Sequence, residues 1–150
     1  MAYKISGKVA NHFTWDEVCN TKAATEIKAV SSPKLLVHAQ MIEHLRMLIY
    51  AHTGAGCHVN SWYREKEFNK ACGGSPNSEH LDGLATDIAS TSIPPSLYTT
   101  AMLYWKAICE VYGKIGTVGY YDWGMHFGSD GGRNGRTAFY VYDMRTKKGV

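Results

Sequence analysis

The stretch Leu84 to Ala89 is short and apolar enough to enter a core as a β-strand, yet it carries an aspartate, Asp87, inside it. A buried carboxylate is costly unless a cation or several hydrogen bonds meet it. Any fold open to this chain must therefore bring compensating groups to Asp87. His80 lies seven residues upstream, across Gly83, and a glycine there lets the chain turn tightly from a loop into the strand. Both side chains then face one ion. His126 supplies a further donor, and two imidazoles with one carboxylate make a three-ligand zinc site with one coordination position open. An open position distinguishes hydrolytic zinc from structural zinc.

The His80 to Asp87 spacing alone says little, because 7 histidines and 6 aspartates in 150 residues give about 0.3 such pairs by chance. Requiring Ser78, His80, Gly83, Ala85 and Asp87 together, as SxHxxGxAxD, lowers the chance to roughly one in several thousand. Ala85 lies two residues before Asp87, on the same side of the strand, where a small side chain leaves room for an ion or substrate. The same donor set accepts other divalent ions as well as zinc.

Around this motif the pattern changes from helical to strand-like. Thr14-Trp15-Asp16-Glu17 reads as a capping box, with Phe13 and Val18 as its hydrophobic staple. Cys19 to Val30 is polar and irregular. Ser32-Pro33 opens a long helix with Leu35, Ala39, Ile42, Leu45 and Ile49 on one face, ended by Gly54-Ala55-Gly56. Cys57 to Ser61 reads as a strand, Arg64 to Ala71 as one or two helical turns stopped by Gly73-Gly74, and Ser75 to Ser78 as a loop. Pro94-Pro95 opens a third helix with Leu97, Ala101, Trp105, Ile108 and Tyr112 as a core stripe. Ile115 to Tyr121, Met125 to Gly128 and Thr137 to Tyr142 alternate like antiparallel strands, the last two joined by the turn-rich Asp130 to Gly135. The expectation is an α+β single domain over residues 1–150, a small antiparallel sheet with helices packed on it.

With 45% hydrophobic content, a chain of this length buries a core without staples. Cys19, Cys57, Cys72 and Cys109 form no CxxC pair and read as buried free thiols. The N-terminus has no apolar run of a signal peptide, and no segment reaches the roughly 18 apolar residues of a membrane span. The expected protein is a monomer made in the cytoplasm, without membrane insertion. A net charge of +3 is too mild to indicate nucleic acid and suits an anionic polymer such as a cell wall.

The motif residues resemble the zinc D-Ala-D-Ala carboxypeptidases and phage endolysin peptidases, LAS-type metallopeptidases that share a fold with the hedgehog signalling domain. His12 to Glu17 resembles the family's N-terminal segment. Ser61-Trp62-Tyr63-Arg64 and Asn69 to Ser75 resemble its SGYR and N-x-x-x-GG-x sequences. Gly119-Tyr120-Tyr121 and Trp123 to Phe127 resemble its late strand with the third ligand. The resemblance implies Zn²⁺ on His80, Asp87 and His126, and a substrate or transition-state contact for Arg64, whose guanidinium forks onto carboxylates and oxyanions. Ser78 is expected to bond substrate or cap its loop, and His58 to line the cleft. Many relatives place the general base three residues before the last histidine, where this chain has Trp123. Asp122 is the expected base and Asp130 the alternative. His12, His38, His44 and His52 read as surface or core residues.

The function so implied is hydrolysis of the peptidoglycan stem peptide, by an endolysin-type endopeptidase cutting after L-Ala or at the cross-link and released to the wall by a phage. One alternative is a D-Ala-D-Ala carboxypeptidase. Another is a non-catalytic, zinc-stabilised wall-binding or virion structural domain.

Overall fold

A computed structural model of the chain describes residues 2–3, 7–19, 27–28 and 32–146. The capping box forms as the sequence predicts, with Glu17 N donating to Thr14 Oγ1 at 3.3 Å and Thr14 N to Glu17 Oε1 at 2.8 Å. It opens α1 (Trp15–Val18), and the flanking Phe13 and Val18 are both buried. Two short ladders accompany it: β1 (Ala2–Tyr3) pairs with β4 (Ile27–Lys28), and β2 (Lys8–Ala10) with β3 (Phe13–Thr14). Apart from Cys19 and β4, the stretch read as irregular from Cys19 to Val30 lies outside the described residues.

The long helix α2 (Ser32–Thr53) buries Leu35, Ala39, Ile42, Leu45 and Ile49 completely, as its spacing requires. A 3₁₀ turn, Pro95–Leu97, leads into α4 (Tyr98–Tyr112), which buries Ala101, Trp105 and Ile108 and ends on the left-handed Gly113. Between these helices lie β5 (Val59–Ser61), the short α3 (Lys66–Ala71) and β6 (Ala85–Ala89). The chain finishes with β7 (Thr117–Tyr120), β8 (Gly124–Gly128) and β9 (Tyr140–Asp143).

The main sheet runs β5-β6-β8-β7-β9. Its first four strands are antiparallel, but β9 runs parallel to β7, so the sheet is mixed where an antiparallel one was expected. The chain leaves β8 at Gly128, opposite Thr117 at the start of β7, and re-enters at Tyr140 beside that same Thr117. Entering from that end, β9 must follow the direction of β7.

Alternation gives the sheet two distinct faces. Ile88, Met125, Phe127 and Val118 join the core with the helices, and Trp105 Nε1 donates to Gly128 O at 2.9 Å. Register places Ala85, Asp87, His126, Gly128, Thr117, Gly119, Tyr140 and Tyr142 on the other face. Of the four cysteines only Cys109 is buried, and Cys72 is exposed, which corrects the expectation of buried thiols. No helix among the described residues is long and apolar enough to cross a membrane.

Candidate metal centre

Asp87 and His126 face each other across β6 and β8, in direct register. His80 arrives from the 3₁₀ turn Glu79–Asp82, which Gly83 closes in the left-handed conformation at φ 71°. The segment after β5 holds this turn in place. Trp62 Nε1 donates to Gly83 O at 2.8 Å, Arg64 N donates to His80 O at 3.0 Å, and His80 Nδ1 lies 2.6 Å from Trp62 O. The Ser61 to Arg64 motif is thus a clamp on the ligand loop. Asn69 does similar work downstream: its Nδ2 donates to Ser75 O at 2.7 Å, and Gly74 packs so tightly on it that a Cβ would lie 2.2 Å from Asn69 Oδ1.

His80 Nε2 and His126 Nδ1 each lie 3.1 Å from the same oxygen, Asp87 Oδ1. All three residues are buried, and their donor atoms fall within 4.8 Å of one another. A carbonyl only accepts, so His80 Nδ1 must carry a proton to bond Trp62 O. His126 Nε2 likewise faces a carboxylate, Glu79 Oε2, at 3.4 Å. In the neutral form that metal binding requires, each ring then turns an unprotonated nitrogen toward Asp87 Oδ1. Three electron-rich atoms in one buried spot need a cation among them, and two imidazoles with a carboxylate are donors that a zinc-like ion accepts. The residues fit a divalent metal.

The same crowding governs the charges. Burial alone would raise the Asp87 carboxyl, but the facing imidazoles of His80 and His126 hold it well below the usual carboxylate range. Burial likewise disfavours a charged His126, and its hydrogen bonds to Asp87 and Glu79 overcome this and raise it to about 9. Glu79 is lowered despite its burial, by His126, Thr117 and the Asp130 backbone.

Arg64 donates from Nη2 to Asp87 Oδ2 at 3.0 Å and from Nε to Ser61 Oγ at 2.9 Å. It therefore positions the metal-facing carboxylate, while still lining the cleft. Ser78 caps its turn, its Oγ accepting from His80 N at 3.2 Å, and the residue borders the cleft.

His58, Asp122 and Asp130 are not brought to the cleft. His58 is exposed immediately before edge strand β5, its backbone bonded to Ser92 and Ala89. Asp122 is exposed too, and its Oδ2 accepts from Thr146 Oγ1 at 2.9 Å. Asp130 contributes its backbone N–H, which donates to Glu79 Oε1 at 2.7 Å. The carboxylates that do line the cleft, among the described residues, are Asp87 and Glu79.

Glu79 was hidden in the sequence because it sits beside a ligand rather than at ligand spacing. Gly128 makes its position possible: a Cβ there would lie 2.2 Å from Glu79 Oε2. Thr117 Oγ1 donates to that same oxygen at 2.6 Å. A carboxylate on His126 Nε2 stands across the ring from Nδ1, so Glu79 orients the imidazole. The cleft beyond has a volume of about 620 Å³, and its walls include Tyr121, Trp123, Arg136 and Tyr142. Tyr121 and Trp123 stack with ring centroids 4.5 Å apart.

The family model described as peptidase M15 matches residues 11–123. The chain belongs to the peptidase M15 family. Peptidases of this family are metal-dependent, which agrees with the donor set of His80, Asp87 and His126. The match contains His80 and Asp87 and stops three residues short of His126, so the third donor of this M15 chain rests on its own geometry. No curated protein and no solved structure matches it.

Proposed function

We propose that this M15 peptidase is a zinc-dependent peptidoglycan hydrolase of the endolysin type, cutting the stem peptide internally at the bacterial wall. The observation that carries the reading is the three-donor centre at the floor of the cleft, with Arg64 beside it. When bound, the metal supplies a Lewis acid that polarises the amide carbonyl and acidifies a water. Asp87, His80 and His126 would hold it, with Arg64 and Glu79 fixing their orientation, and the stacked Tyr121 and Trp123 would offer a flat apolar surface to the peptide. A cleft bounded by Gly73 to Ser75 and also by Asn134 and Arg136 suits a chain passing through.

One feature favours carboxypeptidase action instead. Arg136 lines the cleft with its Cζ 3.5 Å from the centroid of the Tyr140 ring, a placement that suits a terminal carboxylate.

Mass spectrometry of purified sacculi after digestion by the zinc-loaded protein tests both. Internal stem-peptide cuts are expected. Release of free D-Ala alone would establish the carboxypeptidase, and unchanged muropeptides despite zinc binding would leave a wall-binding or virion structural domain.

A further inference from the structure

We propose that Tyr142 is a catalytic residue of this centre, its phenol donating a hydrogen bond to the carbonyl oxygen of the scissile amide as that oxygen becomes an oxyanion. The assignment rests on the peptidase reading above, and Tyr142 lies beyond the part of the chain that the family model matches.

Register brings the residue to the site. Gly119 of β7 pairs with His126 on one side and with Tyr142 of β9 on the other. A Cβ at Gly119 would lie 2.4 Å from Tyr142 Cζ and 2.6 Å from its hydroxyl oxygen, so the phenol occupies the space that this glycine leaves open. The ring thereby lies across β7 toward the metal ligand, with 6.1 Å between the Tyr142 and His126 centroids. Any larger residue at position 119 would push it away.

The hydroxyl is also oriented. The Tyr121 and Tyr142 hydroxyls lie 3.2 Å apart, so Tyr121 can donate to Tyr142 once the Tyr142 proton turns to a substrate oxygen. Both tyrosines line the cleft. Arg64 reaches the donors from the β5 end of the sheet and Tyr142 from the β9 edge, so the two flank the donor cluster from opposite sides. Tyr142 keeps its proton throughout, and its contribution is a preorganised donor aimed at developing charge.

The test compares Tyr142→Phe with the parent protein by calorimetry, first with Zn²⁺ and then, on the zinc-loaded proteins, with a phosphinate dipeptide analogue that mimics the tetrahedral oxyanion. Zinc affinity and KM should stay within about twofold, while kcat falls on the order of 10²–10³-fold, the usual loss for one oxyanion donor. Phosphinate affinity should fall at least about tenfold with it. Equal phosphinate affinity in the two proteins overturns the assignment. A parent protein that binds zinc but neither binds the phosphinate nor cleaves wall peptide overturns the peptidase reading itself. Should Tyr142→Phe fail to fold, Gly119→Ala displaces the ring while keeping the phenol; the same loss of phosphinate affinity supports the role, and its absence refutes it.

Discussion

Arg64 Nη2 lies 3.0 Å from Asp87 Oδ2, the carboxylate oxygen that the two metal-facing imidazoles leave free. One carboxylate is thus divided between a fixed cation and the metal position. Without Arg64, Asp87 is free to rotate and to offer either oxygen.

Arg64→Lys keeps the charge but loses the fork that also grips Ser61 Oγ. Zinc affinity, measured by competition with a chromogenic chelator, should fall about 10–100-fold, the range for loss of a group that orients a ligand. Unchanged affinity would mean that Arg64 serves substrate alone.

Glu79 and Asp122 make a contrasting pair. Glu79→Gln removes the charge beside His126 Nε2 and should weaken zinc binding by the same 10–100-fold. Asp122→Asn should leave zinc affinity unchanged, because that carboxylate is exposed and bonded to Thr146. The same chelator titration on both variants decides the matter, and equal losses would contradict the geometry.

Metal and proton compete for His126. Its hydrogen bonds to Asp87 and Glu79 raise it to about 9 in the metal-free protein, so at neutral pH the ring is charged and must lose a proton before Nδ1 takes a metal. Zinc binding should release about one proton from this site. Apparent affinity should therefore climb roughly tenfold per pH unit up to about pH 9 and flatten above it. Calorimetry in buffers of different ionisation enthalpy counts the proton. A pH-independent affinity from pH 6 to 9 would show that the ring is already neutral.

The pairing of His80 with Asp87 was legible because both sit in a local motif, in which one turn with a left-handed Gly83 brings His80 against Asp87. The long helices were equally legible, since Leu35 to Ile49 and Ala101 to Ile108 repeat with the helical period and nothing competes with burial. Asp122 misled because closeness in sequence to His126 says nothing of the loop geometry that turns its carboxylate toward Thr146. Glu79 and Tyr142 depend on space left by Gly128 and Gly119, and a glycine in a strand announces close approach without naming what approaches. The direction of β9 was settled by which end of β7 the chain re-enters, a property of strand order rather than of residue pattern.

On the opposite face of the sheet, His38 reports on the core. Its Nδ1 lies 2.7 Å from Ser129 Oγ and its Nε2 2.9 Å from Thr86 Oγ1, and its ring packs edge-on against Trp62 and Trp105. Burial lowers it to about 3, against the opposing Glu79 carboxylate and with the nearby imidazoles of His80 and His126 adding to the shift. Between the unfolded value of about 6.5 and the folded value, only the unfolded chain takes up this proton. The stability it contributes is complete above pH 6.5 and is lost as pH falls toward 3, at up to about 1.4 kcal/mol per pH unit. His38→Gln keeps polar atoms for Thr86 and Ser129 without a titrating ring. Urea denaturation at pH 7, 6 and 5 should therefore show the parent protein losing stability on acidification more steeply than the variant, by close to one proton. Parallel pH profiles would show that His38 does not enter the core as a neutral ring.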